Sequence, residues 1–271
     1  MNMTSNTSAA NGTALITGAS SGIGAVYADR LARRGYDLVL VARDQQRLAA
    51  LADKLATEAG VKVEVLQADL TVKADLLRIE QRLRSDASLS LLVNNAGNAV
   101  VGPLLTADID KVEAMLQLNV VAPTRLAAAA AANFAARKTG TIVNIASVVA
   151  YAPGNVSGSY SATKAFALNF TQAMQEEFGP QGVRVQAVLP GATRTEIWER
   201  GGLSVDNLPA SMVMEVGEMV DAALAGLDSG EAITIPALES LADWQAMETA
   251  RKALGPNLST SRSASRYRRA A

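Results

Sequence analysis

The sequence predicts an α/β fold, a doubly wound parallel sheet of about seven strands covered by helices on both faces. Two observations carry that expectation. Short apolar runs alternate along the chain with segments of helical periodicity, which gives parallel strands joined by right-handed helical crossovers. The polar and glycine-rich motifs fall at the ends of apolar runs or just after them, where ligands bind in such sheets. The 271 residues are enough for one sizeable core, and no repeat or composition break marks a second domain.

Taken in order, residues 1–12 read as a polar tail. Thr13 to Thr17 (TALIT) is an apolar run that stops at a glycine-rich stretch, as a buried strand does. Ile23, Val26, Tyr27 and Leu31 share one side of a helix running to Arg34, and Gly35 ends it. Asp37 to Val41 is the second strand. Asp44 is placed to cap a helix carrying Leu48, Leu51 and Leu55, and Gly60 closes it. A strand over Val61 to Leu66, a helix over Leu76 to Leu83 and a strand over Leu89 to Val93 follow. An alanine-rich helical region from Asp108 to Ala136 is interrupted at Pro123, which cannot donate to the helix ladder. Then come strand Thr141 to Ala146, a helix near Ser159 to Phe178, strand Val183 to Leu189, helix Val213 to Leu227 and a last strand, Ala232 to Ile235. Residues 13–256 are expected to form one domain. Residues 257–271 form a basic tail with four arginines between Arg262 and Arg269 and no acid among them; it is either solvated or a subunit contact.

Composition removes whole classes of chemistry. Lys and Arg total 25 against 26 Asp and Glu, so no global basic field exists to hold nucleic acid or an anionic membrane. The chain has no Cys and no His. That excludes disulfides, thiolate nucleophiles, imidazole bases and Cys- or His-ligated metals, and no metal site is expected. Acid–base work falls to Tyr, Lys, Asp or Glu. The N-terminus has no basic, apolar leader pattern, and the longest apolar stretch, Leu126 to Ala136, is too short to span a bilayer. A soluble, cytoplasmic protein is the expectation.

Thr17-Gly18-Ala19-Ser20-Ser21-Gly22-Ile23-Gly24 leaves the first strand and opens the first helix. Gly18 allows a tight turn, Gly22 lets backbone approach a pyrophosphate, and Gly24 permits close helix–strand packing. The helix N-terminus adds free N–H groups and partial positive charge. Tyr160 and Lys164 stand four apart on a predicted helix and so share a face. An ammonium beside a phenol favours the phenolate, and the pair is expected to bring the Tyr160 ionisation down towards neutral pH. Ser147 lies just past the fifth strand and brings a second hydroxyl to the same end of the sheet.

The TGASSGIG spacing is not GxGxxG. With Asn94-Asn95-Ala96-Gly97 after the fourth strand, Ser147, the Tyr160/Lys164 pair and Pro190-Gly191-Ala192-Thr193-Arg194-Thr195 after the sixth, it resembles the short-chain dehydrogenase/reductase family over residues 13–195. The resemblance implies a single-domain Rossmann-type sheet of strand order 3-2-1-4-5-6-7 and an oxidoreductase interconverting a ketone or aldehyde and an alcohol. Tyr160 would be general acid or base, Ser147 would hold the substrate oxygen, and Lys164 would bind the nicotinamide ribose. Asn119 would help hold a water for proton relay. The cofactor contacts would include Gly18, Ser20, Ser21, Gly22, Ile23, Gly24, Leu70, Asn95, Ala96, Gly97, Tyr160, Lys164, Pro190, Gly191, Thr193 and Thr195.

Cofactor choice turns on the end of the second strand, where NAD-preferring enzymes commonly place a carboxylate. This chain reads Val41-Ala42-Arg43. A guanidinium there suits the 2′-phosphate of NADPH, although a solvated Arg is the simpler reading. Asp69 either bonds the adenine, as in the family, or caps the next helix. The resemblance also implies a mobile segment over the substrate at about residues 191–214. Trp198, Val149 and Asn155, with Ser147, line the expected pocket for a hydrophobic carbonyl compound, or Trp198 is ordinary packing. A homodimer or homotetramer is expected from the family. The competing classes are a nucleotide-sugar epimerase, disfavoured by the turn spacing and the short substrate region, and a silent NADP-binding scaffold. The scaffold predicts loss of Ser147, Tyr160 or Lys164, all of which are present.

Overall fold

A computed structural model of the protein describes residues 11–153 and 158–268. Six strands, β1 (Thr13–Thr17), β2 (Asp37–Ala42), β3 (Val63–Gln67), β4 (Leu89–Asn94), β5 (Gly140–Ile145) and β6 (Val183–Val188), lead in chain order through crossover helices. Two two-residue strands follow, β7 (Ala192–Thr193) and β8 (Val213–Met214), and then β9 (Ile233–Thr234). The main sheet is parallel with order β3-β2-β1-β4-β5-β6-β9, while β7 and β8 form a separate ribbon. The order agrees with the expected one, β9 being the seventh main strand. It reverses between β1 and β4, which opens a crevice beyond their C-terminal ends.

Strand pleating sends alternate residues to opposite faces. Ile16, Leu38 and Leu40 face α1 (Gly22–Arg33), α2 (Gln45–Ala59) and α8 (Val216–Asp228), and the core there is completed by Tyr27, Leu31, Leu48 and Leu224. Leu15, Val39 and Val41 face α3 (Lys73–Ser85) and α5 (Ala122–Arg137), and pack with Ile79, Leu83, Leu126 and Phe134. Both faces are therefore covered. Caps set the helix ends where the sequence placed them: the Asp44 carboxylate accepts from the Arg47 N–H at 3.0 Å, and Gly60 adopts the left-handed conformation at φ 68°.

The long alanine-rich region is not two helices meeting at a proline. α4 (Ile109–Leu116) passes through a π-helical stretch, Gln117–Val121, into α5. Pro123 has no N–H for the Asn119 carbonyl, four residues back, and its ring crowds that carbonyl. The helix widens there instead of breaking. A second difference lies near Val213, read as a helix start. Val213 and Met214 pair with Ala192 and Thr193, and α8 begins only at Val216. Arg194 fastens this ribbon, reaching Asp206 at 2.7 Å and Glu215 at 2.9 Å.

By contacts the chain forms two compact units, Met1–Pro236 and Ala237–Ala271. The second contains α9 (Leu241–Leu254). Among the described residues no helix is long and apolar enough to cross a membrane.

The close approach of α1 to the end of β1 generates a test. A Cβ on Gly24 would collide with the Gly18 carbonyl oxygen and lie 2.5 Å from Asn95 Nδ2. Overpacking of this kind costs about 1–3 kcal/mol, so Gly24→Ala should lower the urea midpoint accordingly. Unchanged stability would show that α1 can move away from the sheet.

Candidate active site

A cleft of about 700 Å³ lies beyond the strand ends of the first unit. β1 delivers Gly18, Ser20, Ser21, Gly22 and Ile23 to it, and β2 delivers Arg43. The segment after β3 supplies Asp69 and Leu70, and that after β4 supplies Asn95, Ala96 and Gly97. Ser147 and Val149 follow β5, and Pro190, Gly191, Thr193, Thr195 and Trp198 follow β6. Tyr160 and Lys164 enter from α6 (Gly158–Phe178). Segments far apart in sequence thus converge on one crevice. Gly24 stands behind the wall, against Gly18 and Asn95. Asn155 lies outside the described residues.

Thr17 ties the first two walls. Its hydroxyl donates to the Val93 carbonyl at 3.2 Å and accepts from the Asn95 and Ala96 N–H groups at 3.0 Å each. Asn95 Nδ2 donates back to the Thr17 carbonyl at 2.8 Å. Sequence reading gave Thr17 no role, although it opens the glycine motif. The turn itself needs glycine at position 22, where φ is +53° and a Cβ would press on Thr195 at 3.2 Å. Ser21 precedes α1 without capping it through its side chain, and the first turn of α1 holds no acid. Those helix N–H groups and their partial positive charge suit an anion in the cleft.

Asp69 caps a turn and not the next helix. Its Oδ1 accepts from the Thr71 N–H at 2.9 Å and the Thr71 hydroxyl at 2.6 Å, while α3 starts only at Lys73, after Val72. Its Oδ2 is 3.8 Å from Arg43 Nη1. Arg43 is 72% exposed, so its guanidinium stands open at the rim. The Trp198 indole donates to the Thr193 carbonyl at 2.8 Å, which folds the start of the segment after β6 back on β7.

Asn119 is buried, and its side chain serves as a brace. Its Oδ1 accepts from the Asn98 N–H at 3.0 Å, and its Nδ2 donates to the Asn98 carbonyl at 2.9 Å and to Thr163 Oγ1 at 3.1 Å. The loop after β4 and helix α6 are thereby held on either side of the π-helical stretch. Behind Lys164 a cavity of about 20 Å³, lined in part by Asn94, Asn119 and Asn144, has the size of one water.

Ser147 donates from Oγ to the Pro190 carbonyl at 3.2 Å and accepts from the Val149 N–H at 3.4 Å. Lys164 Nζ donates to the Ile145 carbonyl at 2.9 Å and lies 5.7 Å from the centre of the Tyr160 ring. The two shifts run against the expectation of a lowered phenol. Burial pushes the Tyr160 phenol up to about 12, and burial pushes the Lys164 ammonium down to about 8. The physical reason is desolvation, which opposes both charges. The ammonium also points to a carbonyl at the strand end.

Known proteins place this architecture. The sequence profile described as short chain dehydrogenase matches residues 12–202. A short-chain dehydrogenase from Sphingobium yanoikuyae, solved in complex with NADPH, is 54% identical with a TM-score of 0.92, covering 95% of this chain and 100% of that one. The bulky-bulky ketone specific alcohol dehydrogenase from Comamonas testosteroni is 48% identical with a TM-score of 0.87, covering 94% of this chain and 98% of that one. Human 17-beta-hydroxysteroid dehydrogenase type 3 is 33% identical over 185 residues, which are 67% of this chain and 59% of that protein. The fold and the strand-end cleft define a doubly wound α/β protein of the Rossmann-like class. The chain belongs to the short chain dehydrogenase family and is an oxidoreductase of that family.

The buried ammonium predicts a pH signature. With Lys164 near 8 in the folded protein and at its ordinary 10.5 when unfolded, the unfolded chain binds the extra proton between those values. Folding stability therefore rises with pH through that window, and the cost is fully present below it. Lys164→Met has no such cost. Its stability relative to the natural protein should fall by roughly 3 kcal/mol between pH 7 and pH 10.5. Parallel stability–pH curves from urea unfolding would show that Lys164 is not desolvated.

Proposed function

We propose that this protein is an NADPH-dependent reductase of hydrophobic ketones or aldehydes, running reversibly to the alcohol. One observation carries the reading: a single cleft is lined at once by the glycine turn, by Arg43 and by Ser147, Tyr160 and Lys164. The cleft suits the dinucleotide chemically. The acid-free start of α1 offers backbone donors to the diphosphate, and the exposed Arg43 guanidinium offers a planar fork to a 2′-phosphate. Lys164, Thr193 and Thr195 line the same cleft and are available to the nicotinamide riboside. The Sphingobium relative's complex with NADPH supports the same choice.

Bound NADPH supplies the hydride. The remaining work belongs to this chain. Ser147 donates its hydroxyl to the carbonyl oxygen and holds developing negative charge there, exchanging the Pro190 carbonyl for substrate. Tyr160 Oη gives that oxygen its proton. A phenol pushed up to about 12 is fully protonated at neutral pH, which suits it to act as the acid in reduction. Lys164, pushed down to about 8, stabilises the phenolate left behind and is poised to replace its proton near neutrality. Asn119 keeps α6 and the loop after β4 in register around this pair. Trp198, Val149 and Val148 give the cleft an apolar lining. With the Comamonas relative named for bulky-bulky ketones, that lining supports a carbonyl flanked by large apolar groups.

Two substitutions test the reading. Tyr160→Phe should keep NADPH affinity within about twofold and lose on the order of 10²–10⁴ in kcat with a bulky aryl ketone; a fully active variant would remove Tyr160 from proton transfer. Arg43→Ala should lose at least about tenfold in kcat/KM with NADPH and little with NADH. Equal losses with both cofactors would mean that Arg43 does not read the 2′-phosphate.

A further inference from the structure

The segment after β6 rests on the glycine turn at two points. Thr195 sits against Gly22, and Arg200 Nη2 approaches Ser21 Oγ at 3.4 Å. Between those two residues, Glu196 is held by a pair of guanidinium groups. Arg47 Nη1, from the first turn of α2, reaches both of its carboxylate oxygens at 2.9 Å, and Arg200 Nη2 reaches one at 2.5 Å. Glu196 and Arg200 both line the cleft. The Arg47–Glu196 pair joins residues 149 apart in sequence, so it straps the base of this segment to α2.

The strap places a cation where the glycine turn and the first N–H groups of α1 already face the cleft. Like partial charges crowd there, and Glu196 offsets only part of them. Both side-chain hydrogen bonds that Arg200 makes among the described residues use Nη2, and a guanidinium has five N–H donors. Its Nε and Nη1 donors remain for another acceptor. A group of fixed planar geometry next to backbone donors matches a phosphate, whose oxygens accept from several directions at once.

We propose that Arg200 is a cofactor-binding residue that donates to the diphosphate of the dinucleotide, with Glu196 and Arg47 as the positioning residues that aim it. The proposal deepens the NADPH reading and rests on it. It makes the segment after β6 part of the phosphate site as well as a cover for substrate. Arg200 then has a role separate from that of Arg43, which faces the 2′-phosphate of the adenosine ribose.

The test is binding and not turnover. Intrinsic fluorescence titration gives Kd for NADPH, and competition gives Kd for adenosine 2′-phosphate, which has the 2′-phosphate but no diphosphate. Arg200→Gln should raise the NADPH Kd about tenfold and leave that of adenosine 2′-phosphate unchanged. Arg200→Lys, which keeps the charge but not the fork, should fall between Gln and the natural residue. Circular dichroism and the melting temperature check that each variant is folded. An NADPH Kd within twofold of the natural protein's would overturn the proposal. So would equal weakening of both ligands, which would mean that Arg200 only shapes the cleft. If the unaltered protein binds adenosine 2′-phosphate but not NADPH, or neither, the cofactor reading itself fails, a result visible before any variant is made.

Discussion

The Thr17 hydroxyl, spent three ways between β1 and the loop after β4, is the contact on which the site's layout depends. It sits where the strand order reverses. The chain leaves β1 towards one face of the sheet and leaves β4 towards the other, and without a tie the two exits would be free to splay. With it, the glycine turn and the Asn95–Gly97 backbone form two fixed walls. Asn95 reinforces the tie from the opposite direction, and Asn119 carries it onward to α6 through Asn98 and Thr163. Tyr160 and Lys164 on α6 are thereby indexed to the glycine turn through two sets of hydrogen bonds joined by the short Ala96–Asn98 backbone.

Charge is handled differently at the two ends of the cleft. At the end near α6 the Lys164 ammonium is buried and, among the described residues, donates to the Ile145 carbonyl, a placement that opposes folding but leaves a proton easily released. At the outer end the cations are exposed and paired with carboxylates: Arg43 near Asp69, and Arg47 and Arg200 with Glu196. Exposed pairs of this kind contribute little to stability. They do keep guanidinium groups oriented at the rim, from which they can turn to an anionic ligand at small cost. Stability is given up at the buried Lys164 and is little affected by the exposed pairs at the rim.

The π-helical stretch shows how one local irregularity serves the whole site. Pro123 prevents a regular helix through Asn119, and the widened turn puts the Asn119 side chain between a loop and a neighbouring helix. An unbroken α-helix would rotate Asn119 relative to Thr163. The ribbon of β7 and β8, with Arg194 bridging Asp206 and Glu215, likewise anchors both ends of the segment after β6.

Much of this was legible in the residues alone. Apolar runs and helical spacing are short-range signals, and they located β1, β2, α2 and β6 to within a residue or two, because alternation of a buried sheet with amphipathic helices is written in each segment separately. The glycine turn and the i, i+4 pairing of Tyr160 with Lys164 are equally local. Tertiary structure decided what depends on distant neighbours. The direction of the Tyr160 and Lys164 shifts follows from desolvation by everything packed around them, which no spacing rule encodes. Asp69 caps a turn because β3 ends where it does, and Arg47 meets Glu196 only because α2 and the segment after β6 come to the same rim. Periodicity reports one element's faces, whereas burial and long-range pairing are properties of the assembled chain.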